Sequence, residues 1–251
     1  MPSIPLAAII LGVKVHALTT DLTLALIEEF IASDRPHQLV TVNPEFVVEA
    51  RRDAEFRRIL NAAALALPDG IGLLMAARFL RTTLLPERVP GSDLVARLAE
   101  LSHQKGYRLY FLGAREGVAE KAAATLKELY PNLQIAGCYA GSPMLDENEA
   151  IVQRILSVQP DILLVAYGAP RQDKWIARNL DRLGVPVCMG VGGSFDFIAG
   201  TVQRAPLWVQ QLNLEWLHRL LMQPWRWRRI WNAVPRFSWL VLLERLRTAD
   251  R

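Results

Sequence analysis

The chain has 251 residues, of which 51% are hydrophobic and 22% charged, and its formal net charge is +4 at pH 7. This composition excludes intrinsic disorder and suits one large domain or two small ones. The two cysteines, Cys138 and Cys188, are too few for a disulfide framework or a four-ligand zinc site. No apolar run reaches the roughly 18 residues of a membrane span.

The apolar stretch at residues 4–13 predicts a strand rather than a signal peptide, because no basic segment precedes it and no cleavage site is evident. Further apolar runs predict strands at residues 39–42, 65–67, 107–112, 134–139, 162–167 and 186–191. Amphipathic stretches predict helices at residues 44–61, 71–80, 92–105, 117–130, 148–158 and 172–183, with Ser92 as an N-cap. This alternation predicts an α/β fold with a mostly parallel sheet flanked by helices.

The composition changes near residue 200. Residues 201–251 contain nine Arg, no Lys and only three acids, for a net charge of +6, which leaves −2 on residues 1–200. Six of the seven Trp also lie in this last segment. We therefore predict a body at residues 1–200 and a helical, basic and Trp-rich appendage at residues 201–251. The protein should be cytoplasmic, with any membrane contact peripheral.

Ligands of parallel sheets bind at the carboxyl ends of the strands, so the residues that follow each predicted strand locate a site. Asp69 follows the strand at 65–67 and precedes the helix at 71–80. It could cap that helix, and it could also act as a general base at the ligand edge. Thr41 and Asn43 share one side of an earlier strand end, where Asn43 and Pro44 also fit a helix start.

Two glycine-containing segments follow later strands. Gln172 would point toward a ligand from the first turn of its helix. Backbone N–H groups of residues 191–196 could hold a phosphate, although a plain tight turn is the simpler interpretation. Neither a Walker-type lysine nor a Gly-x-Gly-x-x-Gly sequence follows a strand, which disfavours ATP and NAD. The four His lack ligand spacing and no Asp-x-Asp occurs, so we expect no metal and no cofactor, and arginines would have to stabilise a diphosphate.

The appendage contains a helix with an apolar face. Trp227, Ile230, Trp231 and Val234 share that face, with arginines around it. The pattern is typical of a helix in a membrane interface, but a helix docked on the body with its Trp in the core fits as well. A nucleic-acid surface is disfavoured, because the body is slightly acidic and contains no nucleic-acid motif.

Together these segments resemble the bacterial WecG/TagA/CpsF family of glycosyltransferases over nearly the whole chain. Each motif is weak alone, but eight in the family's order are specific. They are TVNPE (41–45), LPDGIG (67–72), ERVPGSDL (87–94), YFLG (110–113), GAPRQDKW (168–175), GVGGSFD (190–196), LEWLHRL (214–220) and PWRWRR (224–229).

The resemblance implies a Rossmann-like body and inverting, metal-independent transfer of a sugar from a UDP-sugar of the N-acetylmannosamine type. The acceptor would be a polyprenyl-diphosphate-linked glycan at the inner membrane surface, in cell-surface polysaccharide synthesis. UDP-glucose or UDP-glucuronic acid in exopolysaccharide assembly is an alternative, as is a non-catalytic nucleotide-sugar-binding scaffold. The appendage could complete the site of its own body or of a neighbour in a homo-oligomer.

The resemblance also implies roles for single residues. Asp69 corresponds to the general base, and Asp196 to a contact on the uridine side. The remaining substrate-binding positions are Thr41, Asn43, Arg88, Gln172 and the appendage arginines Arg219, Arg226 and Arg229. Ser142 stands where the family often has an aromatic residue, so a stacking contact to the nucleotide is either missing or supplied elsewhere, for example by Tyr139.

Overall fold

The computed structural model describes residues 6–33, 35–212 and 214–249. A two-stranded hairpin and a six-stranded sheet contain the strands of this part of the chain. The strands are β1 (Ala7–Ile10), β2 (Val13–His16), β3 (His37–Val42), β4 (Leu65–Pro68), β5 (Arg108–Gly113), β6 (Gln134–Tyr139), β7 (Ile162–Ala166) and β8 (Val187–Gly190).

Helices connect these strands and continue through the appendage. In the body they are α1 (Thr20–Ile31), α2 (Pro44–Ala50), α3 (Ala54–Ala62), α4 (Ile71–Leu80), α5 (Gly91–Lys105), α6 (Val118–Leu129), α7 (Leu145–Val158), α8 (Arg171–Leu183) and α9 (Ser194–Ile198). In the appendage they are α10 (Leu207–Gln211), α11 (Glu215–Met222), a 3₁₀ turn (Pro224–Arg226), α12 (Trp227–Trp231), a π-helical turn (Asn232–Arg236) and α13 (Phe237–Ala249).

The large sheet is parallel throughout, with the strand order β4-β3-β8-β7-β5-β6. Neighbouring residues of a strand point to opposite faces, and both faces are buried. In β3, for example, Leu39 packs into the core on one face while Val40 packs into the core on the other. The α/β fold with a mostly parallel sheet, predicted from the sequence, is therefore confirmed.

The strand predicted at residues 4–13 is partly wrong, because the chain reverses inside it. Leu11 and Gly12 both have positive φ and form the turn of an antiparallel hairpin between β1 and β2. Residues 4 and 5 lie outside the described part of the chain. The hairpin places His16 against β4, where its Nδ1 accepts a hydrogen bond from the backbone N–H of Ala66 at 2.8 Å.

Two local helix predictions are also wrong. The helix predicted at residues 44–61 is two helices, since Asp53 interrupts it and caps α3 by accepting a hydrogen bond from the Phe56 N–H at 2.9 Å. Ser92 is not an N-cap, because α5 starts one residue earlier, after Pro90. Both errors concern where a helix begins, which side-chain periodicity does not determine.

The appendage docks on the body through its last helix. Phe237 and Val241 of α13 are buried in the same core as Leu73, Ala76 and Ala77 of α4. The six appendage Trp are instead exposed by between 36% and 74%. The docked interpretation is thus wrong in placing the Trp of residues 224–234 in the core, although Arg229 of that segment contacts the body through an ion pair with Glu45. No helix of the described residues is long and apolar enough to cross a membrane.

We expect Phe237→Ala to lower the free energy of unfolding of the whole chain by about 3–5 kcal/mol, because it leaves a cavity between α13 and α4. Chemical denaturation followed by circular dichroism measures the change. Trp239→Ala, two residues away and 59% exposed, is the matched control and should shift stability by about 0.5 kcal/mol or less. Equal, small effects of both substitutions would contradict the docking of α13.

Candidate active site

Three neighbouring strands end at one cavity of about 780 Å³. β3 pairs with β4 on one side and with β8 on the other, so the carboxyl ends of all three face the same space. The appendage forms the opposite wall of the cavity. The lining includes these predicted site residues: Thr41, Asn43, Asp69, Arg88, Gln172, Arg219, Arg226 and Arg229.

Asp69 lies at the end of β4, and its backbone is fixed from two sides. Its N–H donates to the carbonyl of Val42 at 2.7 Å, which extends the pairing of β3 and β4 by one residue. Gly70, with φ of 122°, takes the N-cap position of α4. The prediction that Asp69 caps this helix is therefore wrong, and its carboxylate is left for the cavity.

The surroundings of Asp69 favour its neutral form. Burial raises the pKa of Asp69 to about 7, partly offset by a hydrogen bond from the Gly91 N–H, while the charges of Glu215 and Asp93 raise the pKa further and that of Arg88 lowers it. A carboxyl group with a pKa near neutrality can both accept and release a proton at physiological pH. Asp69 has the properties of a general base.

The Gly91 amide reaches Asp69 at a position where a side chain would be crowded. A Cβ at this position would lie 3.2 Å from Cγ2 of Thr41, tighter than ordinary contact. Thr41 itself is buried, with 6% exposure. This close approach packs the start of α5 against the end of β3, so Thr41 contributes to holding Asp69 in place as well as lining the cavity.

Asn43 is confirmed as a helix cap. Its side-chain oxygen accepts a hydrogen bond from the Phe46 N–H at 3.0 Å, and Pro44 occupies the first turn of α2. Pro44 in turn leaves room for only a glycine at position 72, where a Cβ would lie 2.9 Å from the Pro44 ring. The first turns of α2 and α4, which flank the cavity, are thus packed directly against each other.

Glu215 is a cavity residue that the site prediction missed. It begins α11 in the appendage, and Arg204 connects it to the body, with 2.5 Å to the Asp93 carboxylate and 3.8 Å to the Glu215 carboxylate. Its spacing of four residues from Arg219 places both on one face of α11, which could have identified it from the sequence. Glu215 is the appendage carboxylate that raises the pKa of Asp69.

Three appendage arginines form a positively charged cluster over the cavity. Arg219 stacks on the ring of Phe197 at 4.6 Å, and its buried Nε has no hydrogen-bond partner among the described residues. Burial and the charges of Arg219 and Arg229 lower the pKa of Arg226 to about 10. Mutual repulsion and a free buried donor are properties of a site that binds an anion.

Arg229 also fastens this cluster to the body. It forms a bidentate ion pair with Glu45 of α2, with Nε–Oε1 and Nη2–Oε2 distances of 2.8 and 2.9 Å. Bidentate pairs of this kind are geometrically specific. Glu45 is the second cavity residue absent from the predicted site, although it belongs to the TVNPE motif.

Gln172 organises the loop that follows β8. It is 1% exposed, and its side-chain oxygen accepts a hydrogen bond from the Gly192 N–H at 3.0 Å. A Cβ at position 190 would lie 2.5 Å from Nε2 of Gln172, so a larger residue than Gly190 would displace this amide. The next residue, Asp173, is fully buried, which raises the pKa of its carboxyl group to about 7, while a hydrogen bond with the Gln172 side chain lowers that pKa.

Asp196 is the predicted site residue that does not line the cavity in the described part of the chain. Its carboxylate lies 3.4 Å from Arg115 and accepts a hydrogen bond from the Thr201 hydroxyl at 3.2 Å. The neighbouring Phe197 lines the cavity in its place. A contact of Asp196 with uridine stays a prediction.

Ser142, which stands where the family often has an aromatic residue, also does not line the cavity. The hydroxyl of Ser142 accepts a hydrogen bond from the Met144 N–H at 3.3 Å. The ring of Tyr139 is covered by the guanidinium of Arg154 at 4.6 Å. Stacking of Tyr139 on a nucleotide would require Arg154 to leave or to share the ring.

Metal ligands are not grouped in the part of the chain that the structure describes, where no cluster of three or more His, Cys, Asp or Glu side chains could hold an ion. The charged groups that line the cavity are arginines and the carboxylates of Glu45, Asp69 and Glu215. Arginine donors that are partly buried are able to stabilise a diphosphate directly.

Comparison with known proteins agrees with this geometry. The profile of the glycosyl transferase WecG/TagA/CpsF family matches residues 8–251. A protein of Bacillus subtilis (strain 168), named N-acetylglucosaminyldiphosphoundecaprenol N-acetyl-beta-D-mannosaminyltransferase, is 36% identical over 204 residues, which cover 81% of this chain and 78% of that protein. A Staphylococcus aureus (strain MW2) protein of the same name is 33% identical over 236 residues, covering 92% and 91%. The chain belongs to the WecG/TagA/CpsF family of glycosyltransferases.

Proposed function

We propose that this enzyme transfers an N-acetylmannosamine-type sugar from a UDP-sugar to a sugar linked to a polyprenyl diphosphate, as a step in the synthesis of a cell-surface polysaccharide. The observation that carries the proposal is the pairing, in one cavity, of a carboxyl group with a pKa near 7 and a cluster of arginines. The names of these relatives describe this sugar and this kind of acceptor.

In this mechanism Asp69 accepts the proton of the acceptor hydroxyl as that oxygen bonds to the anomeric carbon of the donor. The bond between the anomeric carbon and the UDP oxygen breaks in the same step, and UDP leaves with its electron pair. Attack opposite the leaving group inverts the anomeric configuration. A single displacement needs one base, and this role suits Asp69 because a pKa near 7 leaves about half of it ionised at neutral pH.

The arginines at the cavity would offset the negative charge of the donor and acceptor diphosphates, so we infer that the reaction requires no metal ion. Arg219 and Arg226 are partly buried at the cavity, where their charge–charge interactions are stronger than in water. Arg88 lies on the body side, close enough to Asp69 to lower its pKa. We assign the appendage arginines to the diphosphate of the acceptor and leave Arg88 and the loop after β8 to the donor.

The identity of the donor sugar is the least constrained part of the proposal. UDP-glucose and UDP-glucuronic acid would undergo the same displacement with the same base. The relatives' names favour N-acetylmannosamine over these alternatives. In the structure the cavity is lined by the appendage and the body of one chain, which favours completion of the site by its own appendage over completion by a neighbour in a homo-oligomer.

We further infer that the enzyme works on the inner membrane surface. Its proposed acceptor is anchored there, and the appendage exposes Trp225, Trp227 and Trp231 together with Leu221 and Met222. Trp beside Arg is characteristic of proteins that rest in the headgroup region. Exposure of these rings leaves them available for such contact.

Asp69→Asn should reduce transfer by about 10²- to 10⁴-fold, because the amide cannot accept the proton. The assay incubates UDP-N-acetylmannosamine with a short-chain polyprenyl-diphosphate N-acetylglucosamine acceptor in buffer containing a chelator, and mass spectrometry reads the mass added.

The folded-state pKa of Asp69 lies above its unfolded value of 3.8, so ionisation costs stability as pH rises toward 7. The variant should therefore melt no lower than the wild type at pH 8. Full activity in a folded Asp69→Asn variant would contradict the assignment of Asp69 as the general base.

The pH dependence of kcat/KM gives a second test. Activity should rise with pH through an apparent pKa near 7, as Asp69 ionises. Glu215→Gln removes a charge that raises this pKa, so the rise should move to lower pH. Glu128→Gln, at an exposed position on α6, is the control and should leave the profile in place. An unshifted profile in Glu215→Gln would separate Glu215 from the titration of Asp69.

Membrane association is tested with the double variant Trp227→Gln and Trp231→Gln. Both side chains are more than half exposed, so folding should be preserved, while sedimentation with anionic phospholipid vesicles should fall several-fold. The control is Leu129→Gln with Leu145→Gln, which removes two exposed apolar side chains from the body. Equal vesicle binding by both double variants would refute a membrane contact at the appendage Trp.

A further inference from the structure

The cavity continues beyond Asp69 as an apolar groove along α4. Ile71, Met75 and Phe79 line it and recur every four residues, which places them on one face of the helix. Eight residues of helix span about 12 Å, so this face extends well away from the carboxylate. Met75 and Phe79 remain 65% and 48% exposed, although both are large and apolar.

The appendage provides the facing wall. Ile230, Val234 and Leu242 line the same cavity, and Leu242 is 38% exposed. The two walls meet near Gly72, where a Cβ would lie 3.8 Å from the ring of Phe237. The groove is thus closed at its base by the docking of α13 and open along its length.

Both walls change from charged to apolar in the same order. On the body, Asp69 precedes Ile71, Met75 and Phe79. On the appendage, Arg226 precedes Ile230 by four residues and Arg229 precedes Val234 by five, each about one helical turn. A ligand that fits this order has a hydroxyl-bearing group at one end, a multiply charged anion in the middle and an apolar chain at the other end.

We propose that the groove lined by Ile71, Met75, Phe79, Ile230, Val234 and Leu242 holds the first isoprene units of the acceptor's prenyl chain. The proposal rests on the proposed function, since it takes the acceptor to be a polyprenyl diphosphate. It adds that the enzyme binds part of the lipid itself, outside the bilayer, and so selects acceptors by the presence of an apolar chain. Exposed apolar surface continuous with a polar site is the usual mark of such a ligand groove.

The test compares two acceptors with the same sugar diphosphate, one bearing a single prenyl unit and one bearing four, both kept monomeric and free of vesicles. The wild type should show a KM at least tenfold lower for the longer acceptor, because burying several methylene groups stabilises its complex. Phe79→Gln and Met75→Gln should each reduce this advantage of the longer chain. Leu129→Gln, which alters an exposed apolar residue of α6, should retain it in full.

A binding measurement makes the result independent of turnover. Quenching of protein fluorescence by a four-unit prenyl diphosphate that lacks the sugar should saturate at lower concentration in the wild type than in Phe79→Gln. If the wild type binds in this way but transfers no sugar, the groove stands and the proposed function fails. If it transfers sugar equally well to both acceptors and the variants change neither measurement, the groove is refuted while the proposed function stands.

The same variants also test two other possible occupants of the groove. Phe79→Gln and Met75→Gln could lose sedimentation with vesicles and still show the lower KM for the longer acceptor. That result would mean that these side chains contact the bilayer, and it would overturn the proposal. A change from dimer to monomer in these variants, measured by light scattering with the advantage intact, would assign the groove to a second copy of the chain and would overturn it too.

Discussion

The partial burial of one carboxyl group, Asp69, is the constraint on which the rest of the site depends. The pairing of β3 and β4 fixes its backbone, the Gly91 amide holds its side chain, and the loss of water raises its pKa to about 7. Burial alone would leave a neutral and inert acid. Arg88 and the Gly91 amide lower the pKa while Glu215 and Asp93 raise it, and the balance falls near physiological pH.

The appendage contributes to the charges that set the pKa of Asp69, so the active site is incomplete without it. It supplies Glu215, which acts on the pKa of Asp69, and the arginines that face the cavity. It is held by apolar packing of α13 on α4 and by the Arg229–Glu45 ion pair. The same segment exposes its Trp. An enzyme that acts on a lipid-linked substrate benefits from this arrangement, because one element both completes the cavity and presents an apolar surface outside it.

The sequence predicted the sheet, most helices and the edge at which the site lies, because buried parallel strands and their glycine-rich ends have strong local patterns. It did not predict the β1–β2 turn, which a positive φ at Leu11 produces, or the break that Asp53 makes before α3. Glu45 was missed since its importance arises from a contact between body and appendage, whereas the spacing of Glu215 from Arg219 could have identified Glu215. Asp196 was predicted from the family motif, and its ion pair with Arg115 could not be read from spacing.

Direct titration of Asp69 tests the central claim most closely. Carbon-13 NMR of the protein labelled at aspartate carboxyl groups, compared with Asp69→Asn, assigns the signal of this residue and separates it from Asp173, whose pKa is also raised to about 7. We expect the assigned signal to titrate near pH 7. A midpoint near 4, the ordinary value for an exposed aspartate, would contradict the desolvated general base on which the mechanism rests.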